Sequence, residues 1–169
     1  VRSFLADDVH RRAARLPAGV RSDLELPDVA VWAEMDEASL TEAVDALADN
    51  ACLAMPDGGV LSVALACAIT DGTVRACETL RDADLVPVPP LAPGRWAVLA
   101  VRDTGSGIER ERLTRIWEPF FSTRDGAKGM GLATVYGIAR GHGGSVAADS
   151  APGRGTVVAV YLRLVDAPT

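Results

Sequence analysis

Aromatic residues are scarce, at 5% of the 169 positions. That is too few rings for a base-stacking platform on single-stranded nucleic acid. Positive charge is short as well: 17 Lys and Arg face 23 Asp and Glu, for a net charge of −6. Nucleic-acid binding normally needs a basic face, and this balance gives no footprint for one. No run of about 18 apolar residues occurs, so neither a membrane span nor membrane contact is expected. Cysteine occurs only as Cys52, Cys67 and Cys77, without a C-x-x-C pair. That spacing excludes a disulfide framework and a structural zinc site, and fits small apolar side chains in a reducing cytoplasm. The start has no apolar h-region and no Met, so a secretory signal is not expected and the chain reads as a fragment of a longer protein.

What is present is an ordinary globular composition, 49% hydrophobic and 24% charged, at a length that suggests one domain. Residues 1–19 are charged and rich in Ala and Arg, and read as a lead-in segment, a short helix closed by Pro17 and Gly19. Residues 20–165 carry the remaining pattern. Val20 to Leu26 alternates and predicts a strand, with Val29 to Glu34 as its hairpin partner. Leu40, Ala43, Val44, Leu47, Ala48 and Ala51 fall on one face of a helix. Ser39 and Glu42 form a capping box at its start, with Asp36 as a competing cap. Val60 to Thr70 predicts a strand, and the prolines of 76–95 predict a loop. Trp96 to Arg102 predicts a strand, Glu109 to Trp117 a short helix, and Leu132 to Arg140 a helix stopped by glycines. Ser145 to Asp149 and Thr156 to Leu164 predict a closing hairpin. The expected fold class is α/β: a two-layer sandwich with a mixed sheet and helices on one face.

Four places can carry chemistry. Asn50 sits at the flank of the apolar helix stripe, from which Asp45 and Asp49 point away. Its amide oxygen suits a hard cation such as Mg²⁺, and the bland alternative is an edge amide bonded to backbone. Asp103-Thr104-Gly105-Ser106-Gly107 follows a buried strand. A carboxylate there can accept from the exocyclic amine of adenine, while the glycines let a flat ligand approach. A plain turn, or the Asp-Thr-Gly of an aspartic protease, are its rivals. Gly126 to Leu132 (GAKGMGL) opens a helix, where exposed N–H groups suit phosphate and Lys128 and Arg124 add charge. It lacks the G-K-[ST] of a Walker loop and the G-x-G-x-x-G of a dinucleotide fold. Gly153-Arg154-Gly155-Thr156 is a hairpin turn whose Thr hydroxyl can reach a purine edge.

Taken in order, helix Asn, strand–DTGSG, EPFF, KGMGL and GRGT resemble the ATP-binding catalytic domain of sensor histidine kinases, in the GHKL superfamily. Asn50-Ala51 followed by Ala54-Met55-Pro56-Asp57-Gly58-Gly59 is most similar to hybrid-type kinases. The resemblance spans about residues 20–164 and implies a GHKL ATPase (Bergerat) fold with ATP and Mg²⁺ as cofactors. It implies that Asn50 binds Mg²⁺ between the phosphates and, with Lys128, serves the transfer step. It implies that Asp103 bonds the adenine amine, with Gly105, Gly107 and Ile108 shaping the pocket. Phe120 and Phe121 anchor the ATP lid at 122–128, Gly129, Gly131 and Leu132 lie at the phosphates, and Thr156 lies near adenine.

The implied function is transfer of the ATP γ-phosphoryl to a histidine on a separate dimerisation domain, fed by an upstream segment of which 1–19 is the end. The resemblance also implies a downstream response regulator or receiver domain, and a cytoplasmic domain that can belong to a membrane-anchored full-length protein. Ala46 stands where the family commonly has Asn or Glu, and Cys52-Leu53 replace polar residues. These departures motivate an alternative, a degenerate nucleotide-sensing pseudokinase module. Ala46 also argues against a gyrase- or MutL-like ATPase, which uses a helix Glu there; Glu42, two turns before Asn50, is not expected to substitute. Neither His10 nor His142 matches a phosphoacceptor motif.

Overall fold

A computed structural model describes residue 11 and residues 14–28, 31–69, 73–74, 78–122 and 128–166. In chain order it holds β1 (Val20–Glu25), α1 (Glu37–Leu53), β2 (Gly59–Ile69), β3 (Thr73–Val74), β4 (Arg95–Asp103), α2 (Arg110–Leu113), α3 (Gly131–Gly141), β5 (Ser145–Ala151) and β6 (Gly155–Arg163). The sheet order is β1-β2-β4-β6-β5, with β3 paired to β2. The β1–β2 ladder is parallel and the others are antiparallel. The sheet is therefore mixed, as the pattern predicts.

One expected pairing is corrected. Val29 to Glu34 is not the hairpin partner of β1. Ala33 bridges Leu164, the Val165 N–H donates to the Trp32 carbonyl at 2.9 Å, and the Glu34 N–H donates to the Arg163 carbonyl at 3.1 Å. Alternation fixes which face of a strand is buried but not which strand lies beside it. A parallel β1–β2 pair needs a long crossover, and α1 supplies it while burying its stripe on the sheet.

The α1 start is the second adjustment. Asp36, not Ser39, is the N-cap, and its carboxylate accepts from the Ser39 N–H at 2.8 Å and the Ser39 hydroxyl at 2.7 Å. These bonds, the backbone N–H first, hold the Asp36 carboxyl down at about 2. Ser39 spends its hydroxyl on Asp36, so no Ser39–Glu42 box forms at the first turn.

One core lies between the helices and the sheet. Leu40, Val44 and Leu47 of α1 and Val135 and Ala139 of α3 meet Leu61, Val63, Leu99, Val101, Val158 and Val160. Each buried Leu or Val side chain contributes about 1.5–3 kcal/mol relative to exposure. The opposite sheet face is lined by small residues, among them Ala64, Ala66, Ala100 and Ala159, with Trp96 and Tyr161 between them. Their small volume lets the segment 78–94 lie close, with Leu80, Leu85 and Leu91 packed on that face. The Trp96 Nε1–H donates to the Ala92 carbonyl at 3.1 Å, and the Ser145 hydroxyl donates to the Pro89 carbonyl at 2.7 Å. The proline-rich loop thus seals the second face. Burial there pushes the Tyr161 hydroxyl up to about 12.

The expected helix at Glu109–Trp117 is a single α turn at α2, continued by non-helical turns. Most of the expected lead-in helix lies outside the described residues, as do 123–127 of the expected lid, including Arg124, and His10. Among the described residues no helix is long and apolar enough to cross a membrane.

Candidate nucleotide site

β4 carries Leu99 and Val101 toward the helices, and strict alternation puts Asp103 on that same side at the strand end. Register adds two neighbours. Asp103 pairs with Thr156 on β6, and Thr156 pairs with Ser150 on β5. Side chains directly opposite across strands lie close together. A polar row therefore closes the apolar face at one end of the sheet. Asp103 is 3% exposed and Thr156 5%. The Asp103 Oδ1 accepts from the Gly105 N–H at 2.8 Å and from the Thr156 N–H at 3.3 Å.

The loop after Asp103 is held from two sides. The Ser106 N–H donates to the Ala54 carbonyl at 3.1 Å, at the C-cap of α1. The Gly153 N–H donates to the Ser106 carbonyl at 2.7 Å. Gly105 lies so close to this helix end that a Cβ would overlap the Ala54 carbonyl oxygen. Gly155, at φ +79°, lies against the Asp103 carbonyl in the same way, and its backbone conformation also disfavours any larger residue.

Beside this row, α1, the 108–122 loop and the start of α3 enclose a cleft of about 480 Å³. Asn50, Ile108, Phe121, Lys128, Gly129, Gly131 and Leu132 line it, as do Glu42, Asp45, Ala46 and Asp49. The Phe120 N–H donates to the Gly129 carbonyl at 3.0 Å, tying the two ends of the 121–128 segment together. The Arg115 guanidinium lies 4.5 Å over the Phe121 ring. The first turn of α3 presents backbone N–H groups and the positive end of the helix dipole. No acidic side chain stands in that turn to compete for them.

The residues singled out in the sequence thus fall into two adjoining groups. Asn50, Phe121, Lys128, Gly129, Gly131 and Leu132 share the cleft. Asp103, Gly105 and Thr156 form a hydrogen-bonded end of the sheet, Gly107 packs against the Ala151 backbone beside them, and Ile108 joins this group to the cleft through its N–H on the Ser150 hydroxyl. Phe120 stands apart: its side chain is 80% exposed, with φ +65°, and does not line the cleft. One organising residue was missed. The Ser150 hydroxyl contacts the Ile108 N–H, the Gly155 carbonyl and the Thr156 hydroxyl, each at 2.8 Å. A lone Ser in a hairpin strand carries no spacing signal, and only the register reveals it. Among the described residues no group of three or more His, Cys, Asp or Glu is arranged to hold a metal.

Residues 35–166 match the family described as histidine kinase-, DNA gyrase B- and HSP90-like ATPase. The chain belongs to this family. It is an ATPase-type domain homologous to those of sensor histidine kinases, and this membership displaces the aspartic-protease reading of Asp103-Thr104-Gly105. It is similar to the sensor kinase CckA of Brucella abortus (strain 2308), 37% identical over 123 residues, covering 71% of this chain and 12% of that protein. It is also similar to the sensor histidine kinase ZraS of Klebsiella oxytoca, 43% identical over 77 residues, covering 46% of this chain and 16% of that protein. The chain therefore spans only a small part of the curated relatives it matches. Among solved structures, the mycobacterial sensor histidine kinase MprB shares the fold at a TM-score of 0.65 and 23% identity, over 96% of this chain and 95% of that one. Full-length ShkA in complex with AMPPNP shares it at 0.73 and 19% identity, over 99% of this chain and 31% of that one.

Proposed function

We propose that this ATPase-family domain binds ATP with Mg²⁺ and presents the γ-phosphoryl group to a histidine on a separate dimerisation domain of the same protein. The observation that carries the reading is the adjacency of a buried strand-end carboxylate, Asp103, to a cleft that holds both Asn50 and the glycine-bearing start of α3. The first suits a purine edge and the second suits a triphosphate.

In this reading Asp103 accepts from the adenine 6-amino group, and Gly105 and Gly107 shape the pocket by letting their loop pack against the Ala54 and Ala151 backbone, where a Cβ would overlap. Thr156 lies at the same edge of the base, and Ile108 packs where base meets sugar. Gly129, Gly131 and the Leu132 end of α3 offer N–H donors to the phosphates, and Lys128 adds a positive charge. Phe121, braced by Arg115, anchors the lid segment, and Phe120 fastens it through its backbone N–H. Asn50 would hold the metal. Its neutral amide oxygen fits an ion that takes most of its ligands from phosphate and water. Bound Mg²⁺ supplies charge neutralisation at the phosphates.

Phosphoryl transfer asks little covalent chemistry of the protein. The accepting histidine nitrogen displaces ADP at the γ-phosphorus, and the domain's task is to align and shield that phosphorus. The upstream segment 1–19 would lead from the histidine-bearing domain, and a response regulator or receiver domain would take the phosphoryl group onward. In this reading the domain works in the cytoplasm, as part of a full-length protein that can itself be membrane-anchored. The test is transfer of label from γ-labelled ATP to a cognate histidine-bearing domain. Label on the histidine supports the reading; ATP binding with no label transferred would make this a nucleotide-sensing module instead.

A further inference from the structure

The roles assigned above leave the Asp36–His142 pair unused, yet it joins the two helices that flank the cleft. His142 is the C-cap of α3, and its side chain is 23% exposed. Its Nδ1 lies 2.9 Å from the Ile138 carbonyl oxygen, and its Nε2 lies 3.0 Å from the Asp36 Oδ2 at the start of α1. A carbonyl oxygen only accepts. The Ser39 N–H and hydroxyl hold the Asp36 carboxyl down at about 2, so at neutral pH it too only accepts. A neutral imidazole has one N–H and one lone pair, whereas the imidazolium has two N–H groups. Only the imidazolium donates to both oxygens at once. Asp36 is the charged group that faces the ring. Glu37 beside it and Arg140 in the last turn of α3 are exposed and bond to neither nitrogen, and the turn that follows is Gly143-Gly144. The charges also suit the helix ends, an anion at the start of α1 and a cation at the end of α3.

From this clamp the two helices run side by side to the cleft. Asp36 to Ala46 is about 15 Å of helix, and Gly131 to His142 is about 16 Å. Spans so nearly equal bring Ala46 beside Gly131 in an antiparallel pair, and the Cβ position of Gly131 lies 3.8 Å from the Ala46 carbonyl oxygen. Ala46 and Gly131 both line the cleft, with Asn50 one turn further along α1. We infer that His142 is a positioning residue: as the imidazolium it pins the far ends of α1 and α3 together, and so fixes the gap between Asn50 and the start of α3. Loss of its proton leaves a lone pair facing a carboxylate, and the clamp opens. The inference rests on the reading of the cleft as the phosphate and metal end of a nucleotide site.

The experiment is titration of the chain with ATP and Mg²⁺ at about pH 5.5 and about pH 8.5, on either side of the range in which histidine changes charge. It is run on the wild-type chain, Asp36→Asn and His142→Ala, at a temperature where circular dichroism shows each form folded. The change in the charge of ATP itself is common to all three and cancels when they are compared. Asp36→Asn keeps a side chain that caps α1 but removes the carboxylate that selects the imidazolium. The ratio of ATP affinity at the lower pH to that at the higher should be about threefold to tenfold larger in the wild type than in either variant, the worth of one hydrogen bond. A purely structural pair would shift the melting temperature with pH and leave the affinity of the folded chain unmoved, which separates positioning from stability. Should His142→Ala fail to fold, Asp36→Asn carries the same comparison. Equal ratios in the wild type and the folded variants, with ATP still bound, overturn the role of His142 alone. No ATP binding by the wild type at either pH overturns the nucleotide reading beneath it.

Discussion

Thr156 faces Asp103 across the β4–β6 ladder, and its backbone N–H donates to the Asp103 Oδ1 at 3.3 Å. The last strand thus helps orient a carboxylate that the central strand delivers. Replacing Asp103 by Ala removes a charge-assisted bond to the base, a loss of about 1.5–3 kcal/mol or about tenfold to a hundredfold in ATP affinity. Calorimetric titration of both forms measures it, and equal affinities would remove Asp103 from the site.

Asn50 is predicted to act through the metal rather than the base. Asn50→Ala should slow phosphoryl transfer at least about tenfold, while metal-free ADP affinity changes less than about threefold. Binding titrations with and without Mg²⁺, beside a label-transfer time course, separate the two. Loss of metal-free ADP binding would place Asn50 elsewhere in the site.

Gly105 tests the docking of the loop on α1. In Gly105→Ala the new Cβ meets the Ala54 carbonyl oxygen, which is helix-end backbone rather than a flexible side chain. Destabilisation of about 1–3 kcal/mol is expected, seen as a fall in melting temperature of about 2–4 °C per kcal/mol. Gly137→Ala is the control: nothing lies within 4 Å of its Cβ position, it sits inside α3, and the melting temperature should rise.

Much of this site was legible in the sequence because local chemistry and position coincide there. The apolar run of β4 ends at Asp103 whatever its neighbours are, and the stripe Leu40–Ala51 fixes the face of α1 and hence the flank that carries Asn50. The pairing of β1 was not legible. Its alternation is satisfied equally by a hairpin or by a parallel neighbour, and only the need to bury α1 decides. Ser150 stayed hidden for a similar reason, since its meaning lies in three partners that the chain brings from residues 108, 155 and 156. The covering role of 78–94 was also unreadable. Prolines announce a loop, but not that the alanines of the second sheet face leave room for it.

Asp36 gives a pH signature. Its carboxyl is held at about 2, against an ordinary 3.8, by the Ser39 N–H and hydroxyl and by His142, whose Nε2 lies 3.0 Å away. A depressed carboxyl stabilises the fold above its unfolded value, and that contribution is lost as the pH falls through the folded one. Asp36→Ala should therefore melt below wild type at pH 7, with the gap closing between about pH 4 and about pH 2. Circular-dichroism melts across that range check it; a gap constant with pH would assign the effect to something other than the cap charge.

The central claim is that one nucleotide occupies both groups of residues at once. A crystal structure of this chain with Mg²⁺ and a non-hydrolysable ATP analogue tests it most directly. The account predicts the adenine 6-amino group on the Asp103 carboxylate, the metal beside Asn50, and the phosphates at Gly129, Gly131 and the start of α3. A nucleotide bound with its base away from Asp103, or a cleft left empty at saturating analogue, would contradict it.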